Sequence, residues 1–459
     1  MQYNDFLSEE DLPLFFPGQY AKIPTLLSGI TKNGKKYYSI TELNQLIVSK
    51  KIPYNFSRIH EQDTCSEFCS TRKIKNNNLN VIDLFCGAGG SSAGFRLAGF
   101  NLVGALDINA PAAATHSLNF RKCKTIVGDI SQLSAKDFHS QIGNPRVDIV
   151  IGSPPCQTFS SLSQGKIKSL GKDIKLDNRN YFYKYYLDYV KYFSPKAFLM
   201  ENVPGFQTRF QGAIFKDLLN IIATELTEYD VKYTVLEADK FSVPQSRKRF
   251  FLCAFKRGIN FDFPQGSTKF CSSGQSIVSV EEAIQDLPYI EDNWRLDHGY
   301  YSLPISYPYQ KIMRAGTDIV CNNICRVSNE KAKEMFSFLS PGQRYDELSD
   351  DVKRKISLFD SFKSSVIMSR CHRLPLKDVS WTVIAHIGMD GYEYIHPTQA
   401  RTLSVREAAR IQSFPDDFIF VGNMREQYMQ IGNAVPPLLS YAIATQIAKK
   451  IQEWKKNNN

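Results

Sequence analysis

Three features of this sequence predict an α/β fold, in which a doubly wound and mostly parallel sheet carries a second, smaller and irregular domain. From residue 79 onward, short apolar runs alternate with small-residue turns and amphipathic helical stretches. Four of these runs end where unusual residues gather, at Phe85, Asp107, Gly152 and Glu201. Between about 263 and 395 the alternation decays into irregular sequence rich in Ser, Tyr and Asn. Strand and helix in alternation build a parallel sheet wrapped by helices. Ligands of such sheets lie beyond the C-terminal strand ends, so the four loops are expected to converge on one crevice.

With 459 residues, 43% of them hydrophobic, the chain can bury a large core and is expected to divide into two or three units. We read 1–78 as an N-terminal extension, 79–262 as the main domain, 263–427 as the smaller domain and 428–459 as a segment returning to the main domain. The extension ends in a basic, Asn-rich linker, Thr71–Asn78. Within it, Ser39–Val48 reads as a helix capped at Ser39 or Thr41. Its expected role is to brace the main domain; a helix-turn-helix would need a recognition helix after it, and none stands out. No run approaches the ~18 to 20 apolar residues of a membrane span, and the N-terminus carries acids where a signal peptide carries bases. An intracellular protein without a membrane partner is expected. The ten cysteines are scattered along the chain and read as reduced thiols. The pairs Cys65/Cys69 and Cys321/Cys325 lack companion ligands at zinc spacing, so no metal is expected. The net charge of +10 suits a polyanionic partner but does not require one.

The strand Leu79–Phe85 runs into Asp83-Leu-Phe-Cys-Gly-Ala-Gly-Gly90. Glycines at 87, 89 and 90 let the backbone approach a ligand at a helix start. Asp107 follows about twenty residues later at the next strand end, where an acid can accept hydrogen bonds from ribose hydroxyls. Asp129, after the third strand, can meet an adenine amino group or simply cap a helix. In Gly152-Ser-Pro-Pro-Cys-Gln-Thr-Phe-Ser160, two prolines hold Cys156 on a stiff turn at a strand end. A thiol there can act as a nucleophile when nearby positive charge activates it. Glu201, ending the run Ala197–Met200, is expected to face the same crevice. In Gln245-Ser-Arg-Lys-Arg249, strand alternation puts Arg247 and Arg249 on one face and Lys248 on the other, for use in a site or in structural pairing.

In this order, these blocks resemble those of the DNA cytosine-5 methyltransferases. The likeness runs from Asp83 to Pro437 and includes Arg401–Pro415 and Gln430–Pro437. It implies a Rossmann-like domain that uses S-adenosylmethionine, contacted by Phe85, Asp107, Ile108, Asp129, Ile130, Pro155, Phe182 and Asn433 beside the glycines. Family members commonly carry Glu where Asp107 stands. The resemblance also implies Cys156 as the nucleophile, Glu201 as the acid on the base edge, Arg247 on the cytosine carbonyl and Arg249 as a brace. The segment with Gln157, Ser160, Lys166, Lys168, Lys172, Lys175 and Arg179 would close over double-stranded DNA, and about 263–395 would form a target-recognition domain reading the major groove. A bacterial restriction-modification setting follows, with a cognate endonuclease as a candidate partner, a cytoplasmic, nucleoid-associated location and a monomer as the default. No motif for exocyclic amino methylation appears. The alternatives are a transfer-RNA cytosine-5 methyltransferase and a DNA-binding regulator acting through 1–78.

Overall fold

The computed structural model describes residues 6–8, 27, 29–32, 35–39, 74–155, 178–290, 298–301, 303–315, 317–356, 371–389 and 391–458. The chain divides into two units. One, the sheet unit, comprises Ile74–Phe241, Arg247–Ser267 and Val435–Asn459; the other, the companion unit, comprises Met1–Lys73, Ser242–Ser246 and Thr268–Ala434.

Among the described residues, the extension contributes a three-stranded antiparallel sheet of β1 (Phe6–Ser8), β2 (Ile30–Lys32) and β3 (Lys35–Ser39), in the order β1-β3-β2. Ser39 ends β3, and the rest of the helix expected over Ser39–Val48 lies outside the described residues.

The sheet unit is built on seven strands: β4 (Asn80–Leu84), β5 (Asn101–Asp107), β6 (Lys124–Val127), β7 (Ile149–Gly152), β8 (Ala197–Asn202), β9 (Tyr229–Glu237) and β10 (Lys248–Lys256). Their order is β6-β5-β4-β7-β8-β10-β9, with β10 antiparallel to both neighbours and the pairs from β6 to β8 parallel. The chain steps outward from β4 through β5 to β6, then returns to start β7 on the other side of β4. Strand order therefore reverses between β4 and β7, and the crevice of a doubly wound sheet opens at the C-terminal ends of those strands.

Local sequence explains the helices that cover the sheet. Helix α1 (Gly90–Leu97) starts on the glycine turn, and α2 (Ala110–Asn119) is capped by the Asn109 side chain, which accepts the Ala112 N–H. Ser134 caps α3 (Ala135–Gln141) in the same way. Helix α4 (Phe182–Phe193) seats Tyr186 on the sheet, where its hydroxyl is shared between the carbonyls of Val150 on β7 at 3.1 Å and Leu199 on β8 at 3.0 Å. That ring fits because residue 152 is glycine: a Cβ there would come within 2.8 Å of Tyr186 Cε2. Helix α5 (Ala213–Glu225) completes the same layer through Ile214, Phe215, Leu218 and Ile222.

In the companion unit, α6 (Val280–Ile284), α7 (Pro308–Arg314), α8 (Glu330–Phe338), α9 (Asp350–Lys355), α10 (Val405–Ile411) and α11 (Met424–Asn433) surround a core threaded with buried ion pairs. β11 (His298–Tyr300) and β12 (Ile319–Cys321) form a two-stranded antiparallel pair there. The last helix, α12 (Pro437–Asn458), belongs to the sheet unit and packs on α1, where Ser440 donates to the Ser91 carbonyl at 3.0 Å. Among the described residues, no helix is long and apolar enough to cross a membrane. Cys321 and Cys325 are buried, while Cys65 and Cys69 lie outside the described residues.

Candidate active site

At the end of β4 the backbone turns left-handed three times, at Phe85 (φ 59°), Gly87 (φ 53°) and Gly89 (φ 100°), before α1 begins at Gly90. A left-handed conformation at Phe85 is uncommon for a residue with a side chain, and such strain gathers at functional sites. The two left-handed glycines differ in surroundings. A Cβ at Gly87 would meet nothing within 4 Å, whereas one at Gly89 would come within 2.6 Å of Phe120 Cε2 and 2.9 Å of His116 Cδ2. Gly89 is thus needed for packing, and Gly87 leaves an open concavity.

The carboxylate of Asp107 ties that concavity to the next strand. Its Oδ2 accepts the Gly87 N–H at 2.7 Å and its Oδ1 the Asn109 N–H at 2.7 Å. Each oxygen keeps a second lone pair for a ligand hydroxyl. Burial raises the Asp107 pKa, against the backbone N–H groups of Asn109, Gly87 and Ile108. The neighbouring Ile108 is 68% exposed and Val127 56% exposed, apolar surface that suits the face of a heterocycle. Phe182 meets Phe85 edge to face, with centroids 6.1 Å apart. Asp129 accepts the Ser131 N–H at 2.9 Å, in a turn that follows β6. The Ile130 side chain packs in the core, which leaves only its backbone to meet a ligand. An adenosyl group fits this set: open backbone, an acid with spare lone pairs and flanking apolar walls.

On the other side of β4, the chain leaves β7 through Ser153, Pro154 and Pro155. Ser153 N–H donates to the Leu84 carbonyl at 3.2 Å, and the Pro154 carbonyl accepts from the Asn202 side chain at 3.3 Å. Glu201, one residue before that asparagine on β8, forms an ion pair with Arg249 of β10 at 3.0 Å. The Ser153 side chain also hydrogen-bonds to Glu201. Burial pushes the Glu201 carboxyl above its ordinary pKa, even though Arg249, Arg247 and Ser153 all pull it down. Arg247 is fully buried. Lys248 points the other way and pairs with Glu237 at 2.7 Å, so the alternation read from Arg247 to Arg249 describes this strand.

Glycine loop, Asp107, Pro-Pro turn and Glu201 therefore come together at the C-terminal ends of β4, β5, β7 and β8. A family model described as "C-5 cytosine-specific DNA methylase" matches residues 79–449. The chain belongs to this family. It is 35% identical over 384 residues to the type II methyltransferase M.DdeI of Desulfomicrobium norvegicum, covering 81% of this chain and 88% of that protein. It is 32% identical over 445 residues to the type II methyltransferase M.AgeI of Thalassovita gelatinovora, covering 80% and 99%. Among solved structures, one described as a DNA modification methyltransferase encoded within a prophage (E. coli) superposes with a TM-score of 0.63 at 26% identity, covering 82% of this chain and all of that one.

The protein is thus a DNA cytosine-5 methyltransferase, and the transfer-RNA and regulator readings give way to that assignment. Of the methyltransferase residues expected from sequence, Cys156, Gln157, Ser160 and the side chain of Arg179 lie outside the described residues. Asn433 is exposed at the end of α11 in the companion unit. Sequence reasoning passed over Ser153 and Asn202 as anchors of the Pro-Pro turn. It also passed over Ser92, which donates to Asp83 across nine residues of sequence, and His116, which meets Ser92 across twenty-four; neither separation carries a spacing signal.

Proposed function

We propose that this methyltransferase moves the methyl group of S-adenosylmethionine to carbon 5 of a cytosine rotated out of a specific duplex sequence, within a restriction-modification system. The observation that carries the reading is Glu201: a buried carboxyl with a raised pKa, hydrogen-bonded to Ser153 of the turn that leads into Cys156. Cys156 follows Ser153 by three residues, a covalent reach of about 11 Å. The sheet unit would hold donor and base, and the stretch from about 263 to 427 would read the sequence of the groove.

S-adenosylmethionine, when bound, supplies an electrophilic methyl group on a sulfonium. Gly87, Asp107, Ile108, Asp129 and Phe182 would hold it, with Asn433 as a further contact. Carbon 5 of cytosine is a weak nucleophile, so the protein must raise its electron density. The Cys156 thiolate adds to carbon 6 while Glu201 protonates or hydrogen-bonds ring nitrogen 3, which neutralises the charge that addition creates. The raised pKa of Glu201 favours its acid form for that task. Arg247 would bind the cytosine carbonyl and Arg249 hold Glu201 in place. After methylation, loss of the carbon 5 proton to water or hydroxide expels Cys156. Rotation of the base out of the duplex costs a few kcal/mol, which contacts from Gln157, Ser160 and Arg179 would offset. We take the enzyme to act as a cytoplasmic, nucleoid-associated monomer with a cognate endonuclease as partner.

Cys156→Ser is expected to abolish turnover while leaving DNA binding within twofold, and duplex containing 5-fluorocytosine should trap the unmutated enzyme covalently. Methyl transfer by the serine variant at the native rate, measured with labelled donor, would overturn the mechanism.

A further inference from the structure

The companion unit carries a cavity of about 310 Å³ that the mechanism above does not use, with Tyr289, Arg326, Val327, Lys333, Gln399 and Arg401 in its lining. Three of these side chains are cations, and two of them are answered by acids. Glu407 accepts bonds of 2.8 and 2.7 Å from Arg401, and Glu330 accepts one of 3.0 Å from Lys333. Arg326 is different. Its guanidinium lies 5.5 Å from the centre of the Tyr428 ring and against Gly391, where a Cβ would come within 3.0 Å of Nη1. Among the described residues it has no hydrogen bond and no ion pair. Packing therefore fixes the guanidinium fork and leaves its donors unspent.

Behind the Gln399–Arg401 wall stands a second unanswered guanidinium. Arg373 is 8% exposed, its Nη2 donates to the Gln399 carbonyl at 3.3 Å, and its Nε has no partner. Among the described residues no carboxylate pairs with it, and burial lowers its pKa. His396, which faces Arg373, brings no charge, because burial lowers its pKa to about 3. The Thr402 hydroxyl is also buried without a partner, and the Thr402 side chain flanks the same Gly391 as Arg326. An interior cation with neither countercharge nor a full set of hydrogen bonds is unfavourable until an anion comes to it. The wall thus adds positive potential to a cavity whose own arginine is unpaired.

We propose that this cavity takes a phosphodiester of the DNA backbone, with Arg326 as its clamp and Arg373 strengthening the field behind it. The inference rests on the companion unit meeting the duplex, as proposed above. A planar guanidinium fork matches two phosphate oxygens. Tyr289, 69% exposed, and Val327, 61% exposed, give the cavity apolar surface that suits a deoxyribose. Contacts to phosphate position a duplex without reading its bases, so Arg326 sets affinity and leaves the choice of sequence to other residues.

The test compares the unmutated full-length enzyme with Arg326→Gln and Arg326→Lys in binding a duplex that the enzyme methylates, across a range of salt. Loss of one phosphate contact flattens the log–log salt dependence by about 0.9, so Arg326→Gln should bind about tenfold more weakly at ~50 mM salt and only about threefold at ~200 mM. Arg326→Lys keeps the charge and should keep the slope. The glutamine variant should methylate the same sequence and bind S-adenosylmethionine within twofold of the unmutated enzyme. An unchanged slope, or a changed target sequence, would overturn the proposal. Phenylglyoxal labelling of the unmutated enzyme, mapped by peptide mass, decides the matter even if the variants do not fold: duplex DNA should shield Arg326, and S-adenosylmethionine alone should not. Shielding by inorganic phosphate but not by DNA would make this a site for a free phosphate and reject the DNA assignment. Should DNA shield other arginines of the companion unit and leave Arg326 reactive, this inference fails alone; should it shield none of them, the companion unit does not meet the duplex and both readings fall.

Discussion

Buried carboxyls in the two units are shifted in opposite directions. In the companion unit, Arg401 grips Glu407 through two bonds of 2.8 and 2.7 Å, and Ser404 N–H adds a third at 2.6 Å. Arg410 binds Asp416 at 2.6 Å and Asp286 at 3.0 Å. Although burial alone would raise them, these partners hold Glu407 at about 2 and keep Asp416 below its ordinary value. In the sheet unit, Glu201 and Asp83 are just as buried, and burial raises both. Where partners outweigh burial a carboxylate stabilises the fold, whereas one whose burial outweighs its partners keeps reactivity for a ligand.

The sharpest test of that contrast is an isosteric change on each side. Glu201→Gln removes the transferable proton but keeps an acceptor for Arg249, so turnover is expected to fall by roughly 10² to 10⁴ with the melting temperature unchanged or raised. Single-turnover methylation and a thermal melt on the same preparation read both quantities. The matching change, Glu407→Gln, strands Arg401 in the interior and is expected to cost about 3 to 5 kcal/mol of stability. Denaturant unfolding measures it. If Glu201→Gln unfolded the enzyme and Glu407→Gln did not, the division between reactive and structural carboxylates would be wrong.

The two kinds of carboxylate also differ in how legible they are. The strand ends at Phe85, Asp107, Gly152 and Glu201 could be placed from sequence because apolar runs have a sharp end and a doubly wound sheet gathers its loops at one edge. Arg247 and Arg249 could be placed on one face because strand alternation is strict. The Arg401–Pro415 block, by contrast, was read only by resemblance. Its residues turn out to be a capping box at Ser404 and buried guanidiniums at Arg406 and Arg410 whose partners include Cys321, Asn322, Ala283 and Asp286, eighty or more residues away. The Ser92 and His116 contacts were invisible for the same reason: tertiary hydrogen bonds leave no period in the chain.

Acidity separates the units next. Glu407 has a pKa below its unfolded value of 4.5, so its contribution to stability is complete above that pH and is lost as pH falls toward about 2. The sign reverses for Asp83, raised from 3.8 to about 7: its contribution is complete below pH 3.8 and is lost as pH rises through 7. Each shift corresponds to on the order of 3 to 4 kcal/mol. Melting curves should therefore show Asp83→Asn gaining on the unmutated enzyme from pH 5 to 8, and Glu407→Gln losing its disadvantage below pH 4. A pH-independent gap for Asp83→Asn would mean that its carboxyl is not held out of water.

The smallest expected effect separates two glycines of one turn. Both Gly87 and Gly89 are left-handed, so alanine at either position costs about 1 to 2 kcal/mol in backbone strain alone. At Gly89 the added methyl also meets the rings of Phe120 and His116, and the loss of stability should be larger. At Gly87 it meets nothing within 4 Å and intrudes only on the space proposed for the donor. Gly87→Ala should therefore lower the melting temperature by only about 2 to 8 °C while weakening S-adenosylmethionine binding about tenfold. Equal melting losses for the two variants, with donor affinity intact at Gly87→Ala, would show that the open side of the loop is not where the ligand sits.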